Sequence, residues 1–376
     1  MRIAFYAPLK SPDHPVASGD RTMARMLLAA LKRGGHDVSL ASRFRSYDIG
    51  DRDRQKRLRE SGTQLARRYI DKAAKADARP DLWFTYHLYH KAPDWIGPRV
   101  AEAFAIPYVV AEASFAPKQA GGAWDLGHRA VAEALKRAAL VLQLNPADTE
   151  CVLPLLSDPE RLHTLAPFLE TGPIRAIDQG ESRNVVARLF DLDVALPWLV
   201  TVAMMRDDQK LLSYRCLADA MARLADRRWQ LVIAGAGEAE AQVRQAFAPM
   251  AHRVRWAGIL APDLLGQLYR SADLYVWPAV KEAFGMALLE AQAAGAPVVA
   301  GRSGGVAGVV GDQTTGLLVR EGDVEQFADA VAALLDDPAR RRVMSEAAAR
   351  KAEREHDIAV AAKTLDVHIR RLVRGR

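Results

Sequence analysis

The strongest constraint on the fold of this chain is a regular alternation of short apolar runs with longer segments of helical spacing. An apolar run covers residues 2–7, a helical pattern follows at residues 22–32, and a second apolar run covers residues 37–41. This alternation is typical of parallel strands joined by crossover helices, and it predicts an α/β fold. Further strands are predicted at residues 82–86, 108–111, 140–144, 198–204, 230–234, 254–257, 274–277 and 297–300.

The alternation pauses near the middle of the chain, around Thr171-Gly172-Pro173. A chain of 376 residues is longer than one hydrophobic core usually supports, so two domains are expected. We predict one doubly wound domain at residues 1–172, a second at residues 173–358 and a C-terminal helix within residues 359–376. Open α/β sheets bind ligands at the carboxyl ends of their strands, so we expect two such edges facing each other across a cleft.

The composition excludes several classes of protein. Half of the residues are hydrophobic and 26% are charged, which is ordinary for a globular chain. Two cysteines, Cys151 and Cys216, are too few for a disulfide framework or a zinc site. The N-terminal apolar run is too short for a signal peptide, and no run approaches the length of a membrane span. We therefore expect a cytoplasmic protein.

The positive charge is concentrated in one segment. The chain has a formal net charge of +6, and residues 41–75 alone contain eleven basic and five acidic residues. Such a segment is expected to be either a solvated helix face or a flexible amphipathic element that contacts an anionic membrane surface. Aromatic residues are sparse within it, so nucleic-acid binding is not expected.

The most informative stretch is residues 277–300, which predicts a strand, a loop, a helix, a turn and another strand. Gly285 precedes an Ala- and Leu-rich run, and a Gly-x-Pro turn ends that run. Glu282 therefore lies in the loop, and Glu290 lies inside the helix.

A helix that begins at a ligand-binding edge offers a site for phosphate, because its first N–H groups have no partner within the helix. The predicted donors are Phe284, Gly285 and Met286. The carboxylates of Glu282 and Glu290 can accept hydrogen bonds from sugar and ribose hydroxyls. This spacing suits a nucleotide sugar.

The setting of the two glutamates is specific. They are separated by seven residues in the pattern Glu-Ala-Phe-Gly-(x4)-Glu-Ala-x-Ala-x-Gly-x-Pro-Val-Val. This pattern resembles the signature of retaining GT-B glycosyltransferases of family 4, the glycosyl transferases group 1. The resemblance implies two Rossmann-like domains, the first binding the acceptor and the second the nucleotide-sugar donor, with a last helix that crosses back to the first domain. It implies no cofactor and no metal ion.

Other segments resemble the same family. A strand followed by Arg206 and Lys210 resembles the segment whose two cations bind the donor diphosphate and neutralise the leaving group. Ile259 and Leu260 match the loop whose backbone meets the nucleobase, and Gly19 matches a glycine near the donor phosphates.

Two glycine-rich turns complete the resemblance in the second half of the chain. The turn at residues 233–238 is interpreted as structural. The turn Ser303-Gly304-Gly305 resembles a glycine pair of the family, although Gly308 stands where the family has an acidic residue.

Two strand ends in the first half are candidates for the acceptor side. His87 follows the strand at residues 82–86, and Glu112 follows the strand at residues 108–111, where family members often carry a histidine. A structural role for Glu112 is an equal alternative. The sequence does not rank three further candidates, which are Lys118, His90 and Trp95.

The resemblance implies an enzyme that moves a sugar from a nucleotide-diphosphate sugar to a saccharide or lipid-linked acceptor hydroxyl with retention of configuration. The expected setting is synthesis of a cell-surface polysaccharide, lipopolysaccharide or glycolipid, with residues 41–75 docking on the inner face of the plasma membrane. Glu282 would hold the sugar, Glu290 the ribose, and Arg206 with Lys210 the leaving diphosphate.

Two alternatives remain open from the sequence. One is a GT-B sugar-nucleotide epimerase, and the other is a nucleotide-sugar-binding protein without catalytic activity. Asp51-Arg52-Asp53 and Asp191-Leu192-Asp193 have the Asp-x-Asp spacing of a metal motif, but neither follows a convincing strand. We interpret both as non-catalytic.

Overall fold

The computed structural model describes residues 1–16 and 18–374. The chain divides into two compact units, each built around a parallel sheet. The first unit comprises Met1–Ala166 together with the chain from Ile358 onward, and the second comprises Pro167–Asp357. None of the helices in the described ranges combines the length and the apolar character that a membrane-crossing helix needs.

In the first unit, the described strands pair in the order β2-β1-β3-β4-β5-β6, all parallel. The strands are β1 (Arg2–Tyr6), β2 (Asp37–Ser42), β3 (Leu82–Leu88), β4 (Tyr108–Ala113), β5 (Leu140–Gln143) and β6 (Leu162–Thr164). The helices are α1 (Gly19–Arg33), α2 (Arg52–Lys75), α3 (Gly97–Phe104), α4 (Asp125–Arg137), α5 (Thr149–Val152) and, at the C-terminus, α15 (Ile358–Arg374). The central strands are continuous apolar runs because helices cover both faces of a parallel sheet.

In the second unit, the described strands pair in the order β12-β11-β10-β7-β8-β9, again all parallel. The strands are β7 (Trp198–Val202), β8 (Gln230–Ala234), β9 (Val254–Gly258), β10 (Leu274–Trp277), β11 (Val298–Gly301) and β12 (Gly316–Val319). The helices are α6 (Thr171–Arg175), α7 (Gln179–Phe190), α8 (Gln209–Ala222), α9 (Glu240–Ala246), α10 (Pro262–Ser271), α11 (Met286–Ala293), α12 (Val306–Val309), α13 (Val324–Asp336) and α14 (Pro338–His356).

Each sheet reverses its strand order once, and this reversal positions the candidate sites. In the first unit β1 lies between β2 and β3, and in the second unit β7 lies between β8 and β10. The connections that leave the two central strands run in opposite directions, so they leave a crevice at the carboxyl edge of the sheet. The loops after β1 and β3, and those after β7 and β10, border these crevices.

The basic segment forms a helix that packs through its apolar side. Asp51 caps α2, since its carboxylate accepts hydrogen bonds from the N–H groups of Asp53 and Arg54, both at 3.0 Å. Leu65, Tyr69 and other apolar residues of α2 pack against the core of the first unit. Of the two forms expected for this segment, the structure shows the helix with a charged face toward solvent, packed on the core of the first unit through its apolar side.

The C-terminal helix α15 belongs to the first unit, where it packs against α1. His36 is buried in the turn between α1 and β2. Its Nε2 lies 3.2 Å from the carboxylate of Asp366 on α15. This histidine is accordingly part of the packing between the two helices.

The fold confirms the predicted α/β architecture, and every strand predicted from the sequence is present within two residues of its predicted ends. Two edge strands, β6 and β12, were not predicted because they are short and follow no clear helical pattern. The division after Ala166 precedes our predicted boundary at residue 172. The intervening segment is tied into the second unit, since Leu169 N–H donates to His356 O at 2.9 Å.

Candidate functional site

The switch point of the second sheet brings together two loops that the sequence places far apart. The loop after β7 carries Arg206 and leads into α8, whose second residue is Lys210, and the loop after β10 carries Glu282 and leads into α11. β7 and β10 are direct neighbours in the sheet. This pairing brings Lys210 and Glu282, both predicted from the sequence as site residues, into contact although 72 positions separate them.

Lys210 and Glu282 form a half-buried ion pair. Lys210 Nζ donates to Glu282 Oε2 at 2.5 Å, and the two side chains are 17% and 18% exposed. The Trp277 indole N–H lies 3.3 Å from the same carboxylate oxygen, and Lys210 Nζ lies 5.5 Å from the centre of the indole ring. Trp277 is buried, so it holds both charged groups against a rigid surface.

Arg206 lies on the same loop but has a different partner. Its Nε is 3.2 Å from the Asp208 carboxylate, and the side chain is 41% exposed. Asp208 also accepts a hydrogen bond from Lys210 N–H at 2.8 Å and thereby caps α8. One carboxylate therefore orders both the arginine and the start of the lysine helix.

The glycine turn after β8 supports the Arg206 loop. Gly235 has a φ of 141°, and a Cβ there would overlap the backbone oxygen of Ala203. A Cβ at Gly237 would overlap the oxygen of Met205, whose N–H donates to Ala236 O at 3.0 Å. The geometry gives this turn the structural role that the sequence suggested, since only glycine permits this close approach of the two loops.

The loop that carries Glu282 has an unusual backbone. Ala279, Lys281 and Gly285 all have positive φ, at 55°, 51° and 72°. Such conformations are costly for residues other than glycine and persist only where the surroundings enforce them. Here Val280 N–H donates to Ser213 Oγ at 3.0 Å and Lys281 N–H donates to Glu321 Oε1 at 3.0 Å.

The turn Ser303-Gly304-Gly305 holds the same loop from its other side. Glu282 N–H donates to Ser303 Oγ at 3.1 Å, and Gly305 N–H donates to Ala283 O at 2.8 Å. A Cβ on Gly304 would overlap Glu282 O, and one on Gly305 would come within 2.5 Å of Ala283 O. The turn therefore positions the Glu282 loop, which gives this glycine pair a physical role.

Gly285 ends the loop and begins α11. No side chain caps this helix start, so the N–H groups of its first turn are left to other partners. Met286 is the first helical residue, whereas Phe284 and Gly285 precede the helix. Inside the helix, Glu290 Oε2 accepts a hydrogen bond from Tyr269 OH at 2.8 Å. Burial raises the pKa of Glu290, and the bond from Tyr269 opposes that rise.

The loop after β9 projects outward. Ile259 is 85% exposed, and Leu260 is half-buried. Gly258, which precedes them, has a φ of 62°, and its oxygen accepts a hydrogen bond from Gly235 N–H at 2.8 Å. The structure thus ties this loop to the glycine turn that supports Arg206.

In the first unit, His87 and Glu112 lie at the carboxyl ends of β3 and β4. His87 Nδ1 is 2.8 Å from Asp20 Oδ1, next to Gly19 at the start of α1. Glu112 Oε2 accepts a hydrogen bond from Leu144 N–H at 3.0 Å, and burial raises the pKa of Glu112 to about 7.

The three unranked candidates occupy separate positions in the first unit. The rings of His90 and Trp124 lie edge to face with their centres 5.7 Å apart. Trp95 packs against Gly62 of α2, and Lys118 is exposed in a short turn. None of the three belongs to the contact between Asp20 and His87.

Several functional neighbours were not singled out by the sequence analysis. Trp277 and Asp20 lie within stretches that drew attention, but Lys210 and His87, which contact them, come from distant parts of the sequence. Tyr269 gives no local signal because its contact with Glu290 spans 21 positions. Parallel-strand topology is the signal that could have found Asp20, since it puts the loops after β1 and β3 side by side.

The two Asp-x-Asp segments have structural partners. Asp51 caps α2, and Asp191 ends α7 with a left-handed φ of 50°. Over the described residues, no group of three or more His, Cys, Asp or Glu side chains is arranged to hold a metal ion.

The close approach at Gly305 gives a stability prediction with a matched control. Gly305 has an ordinary φ of −80°, so Gly305→Ala introduces a clash with Ala283 O without backbone strain. We expect it to lower the free energy of unfolding by about 1–3 kcal/mol. Gly308→Ala, three residues along and with open space around its Cβ, should leave stability unchanged. Thermal unfolding of both variants checks this, and equal melting temperatures would contradict the role given to the turn.

Comparison with known proteins places these features in a family context. The family described as glycosyl transferases group 1 matches residues 197–337. The D-inositol 3-phosphate glycosyltransferase 2 of Catenulispora acidiphila is 34% identical over 254 residues, which cover 65% of this chain. The chain spans 58% of the length of that relative.

Solved structures match over nearly the whole chain. Sucrose-phosphate synthase from Thermosynechococcus elongatus is 20% identical with a TM-score of 0.73, covering 100% of both chains. Anabaena HepE, solved in complex with UDP and glucose, is 18% identical with a TM-score of 0.72, covering 99% of this chain and 100% of its own. The chain therefore has the two-domain α/β fold of GT-B glycosyltransferases, and its residues 197–337 match the family of glycosyl transferases group 1.

Proposed function

We propose that this protein is a retaining glycosyltransferase that moves a sugar from a nucleotide-diphosphate sugar to an acceptor hydroxyl. The observation that carries the proposal is the contact between Lys210 and Glu282 at the switch point, inside the matched domain. Ligands of open α/β sheets bind at this place. The bound UDP and glucose of the Anabaena neighbour support a nucleotide sugar as the class of donor.

The pair retains the capacity to bind a donor. An ammonium group has three N–H donors and a carboxylate accepts up to about four hydrogen bonds, so their mutual contact leaves several positions free. Lys210 can therefore bind a diphosphate oxygen while Glu282 accepts hydrogen bonds from sugar hydroxyls. The pair also keeps both charges compensated before the donor arrives.

Arg206 and Lys210 supply positive charge for the leaving group. They lie four residues apart, Arg206 on the loop after β7 and Lys210 in the first turn of α8, and Asp208 between them caps that helix. As the bond to the sugar breaks, negative charge grows on the nucleotide diphosphate, and fixed cations stabilise that charge. We propose that these two cations and the uncapped start of α11 fill the role that a metal ion has in other transferases, and that no cofactor is needed.

Retention follows if the leaving diphosphate itself accepts the proton of the acceptor hydroxyl. The new bond then forms on the same face of the sugar from which the old bond leaves. The protein supplies orientation and electrostatic stabilisation in such a mechanism. Glu282 holds the sugar in place, and the residues around it restrain its loop on both sides.

Glu290 is proposed to bind the ribose of the nucleotide donor by accepting hydrogen bonds from its hydroxyls. Tyr269 engages one of its oxygens, which orients the carboxyl group and leaves the other oxygen available. The helix that carries it also presents the phosphate-binding N–H groups, so one element meets both the ribose and the diphosphate. The exposed loop at Ile259 and Leu260 is proposed to contact the nucleobase of the donor.

We propose that the acceptor is lipid-linked and that α2 touches an anionic membrane surface. Arg57, Arg68, Lys72 and Lys75 recur at helical spacing on one exposed face of α2. The apolar side of this helix is used in the core, so the contact would be electrostatic. Each basic residue near the surface contributes about 1 kcal/mol.

The donor-site assignment predicts a large loss of activity when its cation is removed. Lys210→Ala should lower kcat for sugar transfer by about 10²–10³-fold, because leaving-group stabilisation is lost while the fold persists. Arg223→Ala removes an exposed charge at the far end of the same helix and should have no effect. A panel of UDP-, GDP- and ADP-sugars measures this, and wild-type transfer by Lys210→Ala would refute the assignment.

The membrane assignment predicts salt-dependent binding to anionic vesicles. Replacing Arg57, Arg68, Lys72 and Lys75 with glutamine should abolish co-flotation with phosphatidylglycerol vesicles. The control replaces four exposed basic residues of the second unit, Arg223, Arg228, Lys281 and Arg342. Equal flotation of the two variants, or flotation that salt does not weaken, would contradict a docking role for α2.

A further inference from the structure

The switch point of the first sheet holds a second ion pair, between an aspartate and a histidine. Asp20 lies in the first turn of α1, after β1, and His87 lies at the end of β3. Their Oδ1 and Nδ1 atoms are 2.8 Å apart, although 67 positions separate the residues. An ionised carboxylate only accepts hydrogen bonds, so the ring nitrogen Nδ1 carries the proton.

The backbone is strained where this pair lies. His87 and Glu112 both have a φ of 61°, and they are adjacent across the β3–β4 pairing, between the aligned pairs Tyr86–Ala111 and Leu88–Ala113. Left-handed conformations of residues other than glycine cost about 1–3 kcal/mol each and cluster at functional sites. The neighbouring strands β3 and β4 therefore have the same left-handed backbone conformation at adjacent residues. In both strands this residue carries an ionisable side chain and lies near the carboxyl edge of the sheet.

The ring of His87 is surrounded by carboxyl groups. Asp20 on α1, Glu112 on β4 and Asp148 after β5 all act on it, and Lys10 after β1 acts on Asp20. Burial alone would lower the pKa of His87, but the hydrogen bond and charge of Asp20, with Glu112 and Asp148, outweigh burial and raise it. The ring therefore keeps its charge to a higher pH than an ordinary histidine.

The other ring nitrogen is available to a ligand. The His87 side chain is 20% exposed, and Nε2 makes no hydrogen bond to any of the residues that the structure describes. The Tyr89 ring, 4.9 Å away between centres and tilted by 34°, covers part of the imidazole. A charged imidazole with Nδ1 engaged presents one N–H donor, at Nε2.

We propose that His87 is a further catalytic residue, whose Nε2–H donates a hydrogen bond to a hydroxyl oxygen of the saccharide acceptor, and that Asp20 positions it. This inference rests on the proposed function, because a chain that transfers no sugar has no acceptor. Asp20 fixes the orientation of the ring and keeps Nε2 in its donating form. Glu112 is buried beside the ring, where its carboxyl group adds to the negative charge that favours the protonated imidazole.

A titration of the free protein tests the role of Asp20 without any substrate. The His87 ring signal is assigned in ¹⁵N-histidine-labelled protein by its loss in His87→Asn, since asparagine tolerates a left-handed φ. We expect the wild-type ring to titrate above about 6.5, the ordinary value, and Asp20→Asn to lower its pKa. Asp53→Asn, which removes an acidic residue from the first turn of α2, is the matched control. An unchanged His87 pKa in Asp20→Asn would overturn the proposal.

Kinetics test the contact with the acceptor. His87→Asn should lower kcat/KM for the saccharide acceptor by about 10–100-fold, the range for one hydrogen bond from a charged group. The increase in melting temperature that UDP produces should be the same as in the wild type. Because the charged ring donates, wild-type transfer should fall as pH rises through the His87 pKa, and Asp20→Asn should move that fall to lower pH.

The outcomes separate this inference from the proposed function. If the wild type transfers sugar and His87→Asn matches it in kcat/KM, the proposed function stands and this inference fails. A lost UDP effect in His87→Asn would also overturn it, because the residue would then serve the donor. If the wild type transfers no sugar from any donor of the panel, the proposed function itself fails.

Discussion

The reversal of strand order in each sheet is the constraint on which the rest of the structure depends. Connections leave the central strands in opposite directions, and this opens the carboxyl edge to side chains from two loops. In the second unit Lys210, at the start of α8, contacts Glu282 on the loop after β10, and in the first unit Asp20, at the start of α1, contacts His87 near the end of β3. Both ion pairs join residues that are far apart in sequence and lie at equivalent places in the two sheets.

Close backbone packing keeps these loops in place. In the second unit, glycines after β8 lie against the Arg206 loop, and Gly304 and Gly305 lie against the Glu282 loop. The backbone around Glu282 adopts positive φ at two residues other than glycine, Ala279 and Lys281, which only rigid surroundings would maintain. The first unit uses strand pairing for the same purpose, since β3 and β4 kink together at His87 and Glu112. Preorganised loops of this kind let charged groups act on a substrate without rearrangement.

Much of the fold could be predicted from the sequence, because apolar periodicity reports directly on buried strands and helices. The strand at 230–234 and the strand at 274–277 were located to the residue. The edge strand β12 was not, because it is short and no clear helical pattern precedes it to mark a crossover. The domain boundary was displaced because Leu169 is fixed by a hydrogen bond to His356, which no local pattern reveals. The Glu282 motif could be read because its spacing is local, whereas Trp277, Tyr269 and Asp20 act through contacts that only the folded sheet creates.

The central claim is that the loops at the switch point of the second sheet bind a nucleotide-diphosphate sugar. Hydrogen–deuterium exchange of the whole protein, with and without UDP-glucose, tests it most directly because it reports on each loop separately. The account predicts slower exchange in residues 203–210 and 278–289 when the nucleotide sugar is bound, since those loops hold Arg206, Lys210, Glu282 and the start of α11. Protection confined to other parts of the chain, with these two loops unchanged at a saturating concentration, would contradict it.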